Sequence, residues 1–188
     1  GGEVAAAMKV LRLVDIAGAI VTADALHCHR AMAGTICERS ADYVLTLKDN
    51  QSGLMRDARA ELAAKKGRSA EHKEMRKGAA VIRRVRVVSA GDMAEKQRFP
   101  GLRAVIALET ETGGKIKERL FLASQLFTPR EALRIIRTHW DIENGLHWRL
   151  DVTLKEDQDR ARKDNAPHNL AILRRLAMIL AQSAKDKN

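Results

Sequence analysis

The sequence predicts an α/β fold in which a mixed sheet carries helices on its flanks. Three features predict it. The apolar, partly β-branched run Ala17-Gly18-Ala19-Ile20-Val21-Thr22-Ala23 reads as a buried strand that ends on Asp24. After a helical stretch, the run Ala41-Asp42-Tyr43-Val44-Leu45-Thr46-Leu47 supplies a second strand, completing a βαβ unit whose strands run parallel. Further on, Gly113-Gly114 joins two β-rich runs in the manner of a hairpin turn.

A helix is expected over residues 4–13, ahead of the first strand, and another over 27–39 between the two strands. Residues 51–66 read as a third helix. The segment 65–78 is dense in charge and poor in apolar residues, so it reads as a mobile loop or a grip on DNA. Residues 81–89 are rich in β-branched types, and 102–108 pairs with 116–123 across the glycines, which gives an antiparallel insertion at about 79–124. Thr128 then caps a helix, Pro129 takes its first position and Glu131 completes a capping box. The last helix starts at Asn165, has Pro167 in its first turn, and lines one face with Leu170, Leu173, Ala177 and Leu180. No internal repeat is visible, and one domain over residues 1–188 with an insertion is expected.

Composition narrows the partners. Lys and Arg number 34 against 24 Asp and Glu, a net charge of +10, which is the electrostatic footprint of a phosphate binder. Aromatics are only 3% of the chain, so stacking of bases on aromatic platforms cannot be the main binding mode. With 45% apolar residues over 188 positions the chain can build a sizeable core. Cys28 and Cys37 fall in one expected helix at a spacing that fits no paired metal site, and reduced thiols in the cytoplasm are expected. The cluster His27-Cys28-His29 would splay around a helix, so zinc is not expected there. No apolar run approaches the roughly 18 residues of a membrane span, and the start lacks a signal peptide's layout.

Two acidic residues stand in places that call for a reason. Ile136, Trp140, Glu143, His147 and Leu150 recur at the spacing of one helical face, which sets a carboxylate in an apolar stripe. A buried carboxylate needs a cation, a proton or a metal ion. Pairing with Arg137, Arg149 or His147, or half-burial, would also satisfy it. Asp24 lies at a strand's carboxyl end, where open α/β sheets form their ligand crevices. Its alternative role is a helix cap.

The segments IVTADALHC, ADYVLTLKDNQ and RTHWDIENGLHWRLDVTLKEDQDRARKDNAPHNLAILRRLA resemble the DDE transposases of bacterial insertion sequences, in the group that includes the H-repeat-associated proteins. The likeness covers nearly the whole chain and is weak between about residues 65 and 100. It implies an RNase H-like mixed sheet and three acids that hold two Mg²⁺ or Mn²⁺ ions, with Asp24 as the second acid and Glu143 as the third. The implied activity is DNA transposition by metal-dependent phosphodiester hydrolysis and strand transfer. Double-stranded DNA, as element ends and target, would be the partner, with a homo-oligomer also allowed and no membrane.

The departures are specific. The family's first catalytic Asp and its early strands lie upstream of the opening Gly1-Gly2-Glu3-Val4, so this fragment is expected to be inactive alone. Ile136, His139 and Leu150 stand where related groups carry Tyr, Arg and Lys. Leu26, His27 and His29 replace Met, Gly and Gln, and Asp49 replaces Gly. These read as marks of a divergent copy.

The chemistry explains the acids. Two ions about 3.5–4 Å apart stabilise both the attacking and the leaving oxygen of a phosphodiester displacement. Mg²⁺ prefers oxygen ligands, which carboxylates supply. Lys48, Asn50 and Gln51 leave the second strand at the same sheet end as Asp24 and could meet DNA phosphate. Arg137, His139, Asn144 and His147 flank Glu143, while Trp140 and Trp148 read as core. Arg160, Arg162 and Lys163 form a basic exit from the site helix. Two other functions fit the same residues: a non-catalytic DNA-binding or regulatory remnant, and an RNase H-like nuclease with another substrate.

Overall fold

In the computed structural model, which describes residues 2–76, 78–142 and 149–185, the two strands expected around Asp24 pair in parallel. They are β1 (Ile20–Ala23) and β2 (Asp42–Leu47), with Ala23 opposite Leu45. Ahead of them lies α1 (Glu3–Leu13), and between them α2 (Arg30–Glu38) makes the crossover. After β2 come a 3-10 turn (Asp49–Gln51) and α3 (Ser52–Ala64). Next are β3 (Arg68–Arg76), β4 (Ala79–Ser89), the short α4 (Met93–Gln97), β5 (Ala104–Thr112) and β6 (Lys115–Ala123). Then follows α5 (Pro129–Ile142).

The strands form one six-stranded sheet in the order β1-β2-β6-β5-β4-β3, parallel only at β1 and β2. This is the mixed sheet with flanking helices of an RNase H-like core. The antiparallel insertion joins that sheet directly, because β6 pairs with β2 through Val44 opposite Ala123.

Alternation explains the layers. On one face Tyr43, Leu45, Leu47, Val88, Val105, Leu120 and Leu122 meet Met32 and Ile36 of α2, and Leu54, Ala58 and Leu62 of α3. Burying each such Leu or Ile contributes about 1.5–3 kcal/mol. The alternate residues Val44, Val85, Val87, Ile106, Leu108 and Phe121 point the other way and are also buried. On that side lies α5, whose Ala132, Leu133 and Ile136 are buried and whose Arg137 reaches His72 and Glu74 of β3. Strands covered on both faces read as continuous apolar runs, as β2 does.

Three expectations change. The segment taken for a mobile loop holds β3, paired with β4 from Arg68 opposite Val87 to Arg76 opposite Ala79. Its charges are matched across the strands, Glu71 to Arg84 at 2.9 Å and Glu74 to Arg83 at 2.5 Å, which suits a polar edge strand. The helix expected from residue 27 begins at Arg30, because His29 Nδ1 accepts the Met32 amide at 3.1 Å and caps it. Cys28 and Cys37 are therefore not in one helix. Strand β5 starts at Ala104 and not at Leu102.

The hairpin and the caps follow the sequence. Gly113 and Gly114 adopt φ of +56° and +75°, the left-handed pair of a type I′ turn. Thr128 Oγ1 accepts the Glu131 amide at 3.3 Å while Glu131 Oε2 accepts the Thr128 amide at 2.9 Å, a reciprocal capping box.

The chain divides into two compact units, Gly1–Arg137 and Thr138–Asn188. In the second, a π-helical turn (Arg149–Thr153) and a 3-10 turn (Glu156–Gln158) precede α6 (Ala166–Lys185). Leu150 falls in the π-helical turn and is buried, as is Met178 of α6, whereas Leu173 is 59% exposed. Arg174 Nη1 binds Asp159 Oδ2 at 2.7 Å and its Nε donates to the Leu154 carbonyl at 3.2 Å. Among the described residues no helix is long and apolar enough to cross a membrane.

Candidate metal and nucleic-acid site

Asp24 follows the last residue of β1, and Lys48 follows the last residue of β2. Because the two strands are parallel and in register, both turns leave the same end of the sheet. This is the carboxyl end, where α/β sheets present ligand sites.

The Asp24 carboxylate is half-buried and its Oδ1 accepts the Leu26 amide at 3.1 Å. The Asp24 carbonyl accepts the His27 amide at 3.2 Å. No cation pairs with this carboxylate among the described residues. It keeps an oxygen for a hard cation, so its donor chemistry fits a magnesium-type ion. The helix-cap alternative does not apply, since His29 caps α2.

The neighbouring thiol and imidazoles belong to the fold. Cys28 is fully buried, and burial pushes its thiol up to about 12, which leaves it protonated and a poor metal ligand. Burial, and secondarily the charge of His27, pulls His29 below the usual histidine range. His27 Nε2 lies 3.4 Å from Glu3 Oε1 of α1. Among the described residues no group of three or more His, Cys, Asp or Glu could hold a metal.

Lys48 and Asn50 are exposed at this sheet end. Gln51 is not directed the same way, for its Nε2 donates to the Cys28 carbonyl. Arg137 is engaged too: its Nη2 lies 3.0 Å from Glu74 Oε2 and its Nη1 lies 3.0 Å from His72 Nε2. His139 lies in α5 and is half-buried. Arg160 and Lys163 are exposed, while Arg162 Nη1 donates to the carbonyls of Asp159 and Ala161 at 2.9 and 2.7 Å. Glu143, Asn144, His147 and Trp148 lie outside the described residues.

Comparison with known proteins decides the family. The model of the transposase DDE domain matches residues 2–180. This chain belongs to that family. The chain also resembles curated relatives. It is 29% identical to the protein YbfL of Escherichia coli (strain K12), over 97% of this chain and 52% of that protein. It is 28% identical to the H repeat-associated protein YhhI of the same strain, provisionally named a transposase, over 97% of this chain and 52% of the relative. YncI of Escherichia coli O157:H7, also provisionally a transposase, is 29% identical over 98% of this chain and 51% of its own length. The chain thus spans about half the length of the curated relatives it matches. DDE domains generally use divalent metal ions, which agrees with the oxygen donor that Asp24 offers.

Sequence reasoning missed the pair Glu74 and Arg83 and the bond from Gln51 to Cys28. Only the strand register could have revealed the first, and only the tertiary fold the second.

Proposed function

We propose that this chain is the catalytic-core part of an insertion-sequence transposase that acts on double-stranded DNA. Asp24 and Glu143 are its metal-holding acids, with Mg²⁺ or Mn²⁺ as the ion. The observation that supports this best is the position of Asp24, a carboxylate without a cation partner among the described residues, at the carboxyl end of parallel strands in a DDE domain. Lys48 and Asn50 leave the neighbouring strand beside it and suit the phosphate backbone.

The complete protein would cleave by attack of a water oxygen on phosphorus, breaking the P–O3′ bond and freeing a 3′-hydroxyl. That hydroxyl would then attack a target phosphodiester, forming a new P–O bond and releasing the target's own 3′-oxygen. Bound divalent ions supply charge stabilisation to the attacking and leaving oxygens. The chain's own part is to present the Asp24 carboxylate from the turn after β1 and to hold the duplex with exposed cations. The chain is one partial RNase H-like catalytic domain, and a homo-oligomer is allowed.

The test is Mn²⁺ binding followed by electron paramagnetic resonance, with Asp24→Asn and Glu143→Gln as variants. Loss of binding in both supports the catalytic scaffold. Duplex binding indifferent to metal in all three proteins would instead support a non-catalytic DNA-binding remnant, which the net charge of +10 also favours.

A further inference from the structure

Asp24 opens a tight turn that runs to His29, the cap of α2. Within it, the Leu26 amide holds Asp24 Oδ1 at 3.1 Å, the His27 amide holds the Asp24 carbonyl at 3.2 Å, and the Cys28 amide reaches the Ala25 carbonyl at 3.4 Å. The Leu26 amide thus ties the direction of the carboxylate to the turn's backbone. What fixes the turn therefore fixes the acid.

Cys28 is the turn's anchor. Its side chain is 0% exposed in the core, and its carbonyl accepts the Gln51 side-chain amide. Gln51 ends the 3-10 turn after β2, so one side-chain bond spans the two loops that leave the parallel strands. Lys48 and Asn50 of the same segment are exposed, whereas Gln51 turns inward. A glutamine suits this place physically. It reaches a buried carbonyl with a neutral donor, where glutamate would set acceptor against acceptor and lysine would bring a cation toward a metal ligand.

We infer that Gln51 is a positioning residue for Asp24, bracing the Asp24 turn through the Cys28 carbonyl, a role that rests on Asp24 being a metal ligand. Groups that hydrogen-bond a metal ligand directly govern affinity about 10–100-fold; Gln51 acts one step behind such a bond, through the turn, so the low end of that range is expected.

The experiment titrates Mn²⁺ into the full 188-residue chain and follows amide hydrogen exchange in parallel. Gln51→Met keeps the length and removes the donor. It should weaken Mn²⁺ binding about 10-fold and speed exchange at the Leu26 and His27 amides, with metal-free duplex affinity unmoved and the melting temperature lowered by no more than the loss of one buried hydrogen bond accounts for. Gln51→Ala should repeat the result. Unchanged Mn²⁺ affinity in both variants, while Asp24→Asn abolishes binding, overturns the bracing role and leaves the metal site standing. Weaker duplex binding without metal would also overturn it, assigning Gln51 to DNA. Mn²⁺ binding that is absent in the native chain or survives Asp24→Asn sinks the metal site itself, and the bracing role with it.

Discussion

Glu74 of β3 neutralises Arg83 of β4, a guanidinium whose side chain is only 6% exposed, through a contact of 2.5 Å. Its second oxygen receives Arg137 of α5 at 3.0 Å. The bond from Arg83 is foremost in holding the Glu74 carboxyl below the usual range. Glu74→Ala would leave Arg83 buried without its anion, a loss of about 3–5 kcal/mol. Replacing both, Glu74→Leu with Arg83→Met, should recover most of it, since apolar residues need no partner there and the Arg137 side chain is 40% exposed to water. Urea unfolding of the single and double variants measures this. A double variant as unstable as Glu74→Ala would refute the explanation.

Asp57 of α3 gives a pH prediction. Its carboxylate accepts Gln97 Nε2 at 2.6 Å and Lys96 Nζ at 3.1 Å. The amide of Gln97 first, then the ammonium of Lys96, holds its pKa at about 2, against an ordinary 3.8. The folded value is the lower one, so this stabilisation is present above the ordinary value and fades as pH falls through the folded one. Between pH 3.8 and about 2 the native chain should lose melting temperature faster than Asp57→Asn, and the gap between them should close. A gap that stays constant would show that hydrogen bonding alone, and not charge, matters.

Gly67 enters β3 with φ of +65°, and a Cβ there would lie 2.5 Å from the Val87 carbonyl oxygen. Left-handed strain alone makes Gly67→Ala unfavourable by about 1–3 kcal/mol. The backbone contact adds to that because β4 cannot yield without breaking its pairing. A denaturation midpoint equal to that of the native chain would contradict both terms.

Where burial imposed a pattern, the sequence could be read. β2 is apolar because strands and helices enclose it, whereas β1, expected to be buried, is an edge strand whose Ile20 is 39% exposed and whose other residues are half-buried; Asp24 stood out as the residue where that apolar run stops. β3 gave no such signal. It lies at the sheet's edge, and its charges are satisfied across the strand by Arg83 and Arg84, so neither face alternates. The turn at Cys28 reads as helix because nothing local shows that His29, and not Asp24, supplies the cap. The tie between Gln51 and Cys28 joins residues 23 positions apart and exists only once β1 and β2 lie side by side.

Arg160 and Lys163 provide the last prediction. Both are exposed in the segment before α6, and no acid pairs with either among the described residues. If they meet DNA, they meet phosphate, since long cations on an open segment contact the backbone more readily than base edges. Each phosphate neutralised releases condensed counterions, so log Kobs falls with log salt by about 0.9 per contact. The double variant Arg160→Ala with Lys163→Ala should therefore lower the slope by about 2. The loss of affinity should be the same on element-end and unrelated duplexes. Titrations at several salt concentrations measure the slope, and a loss confined to the element ends would mean that these cations read sequence and not charge.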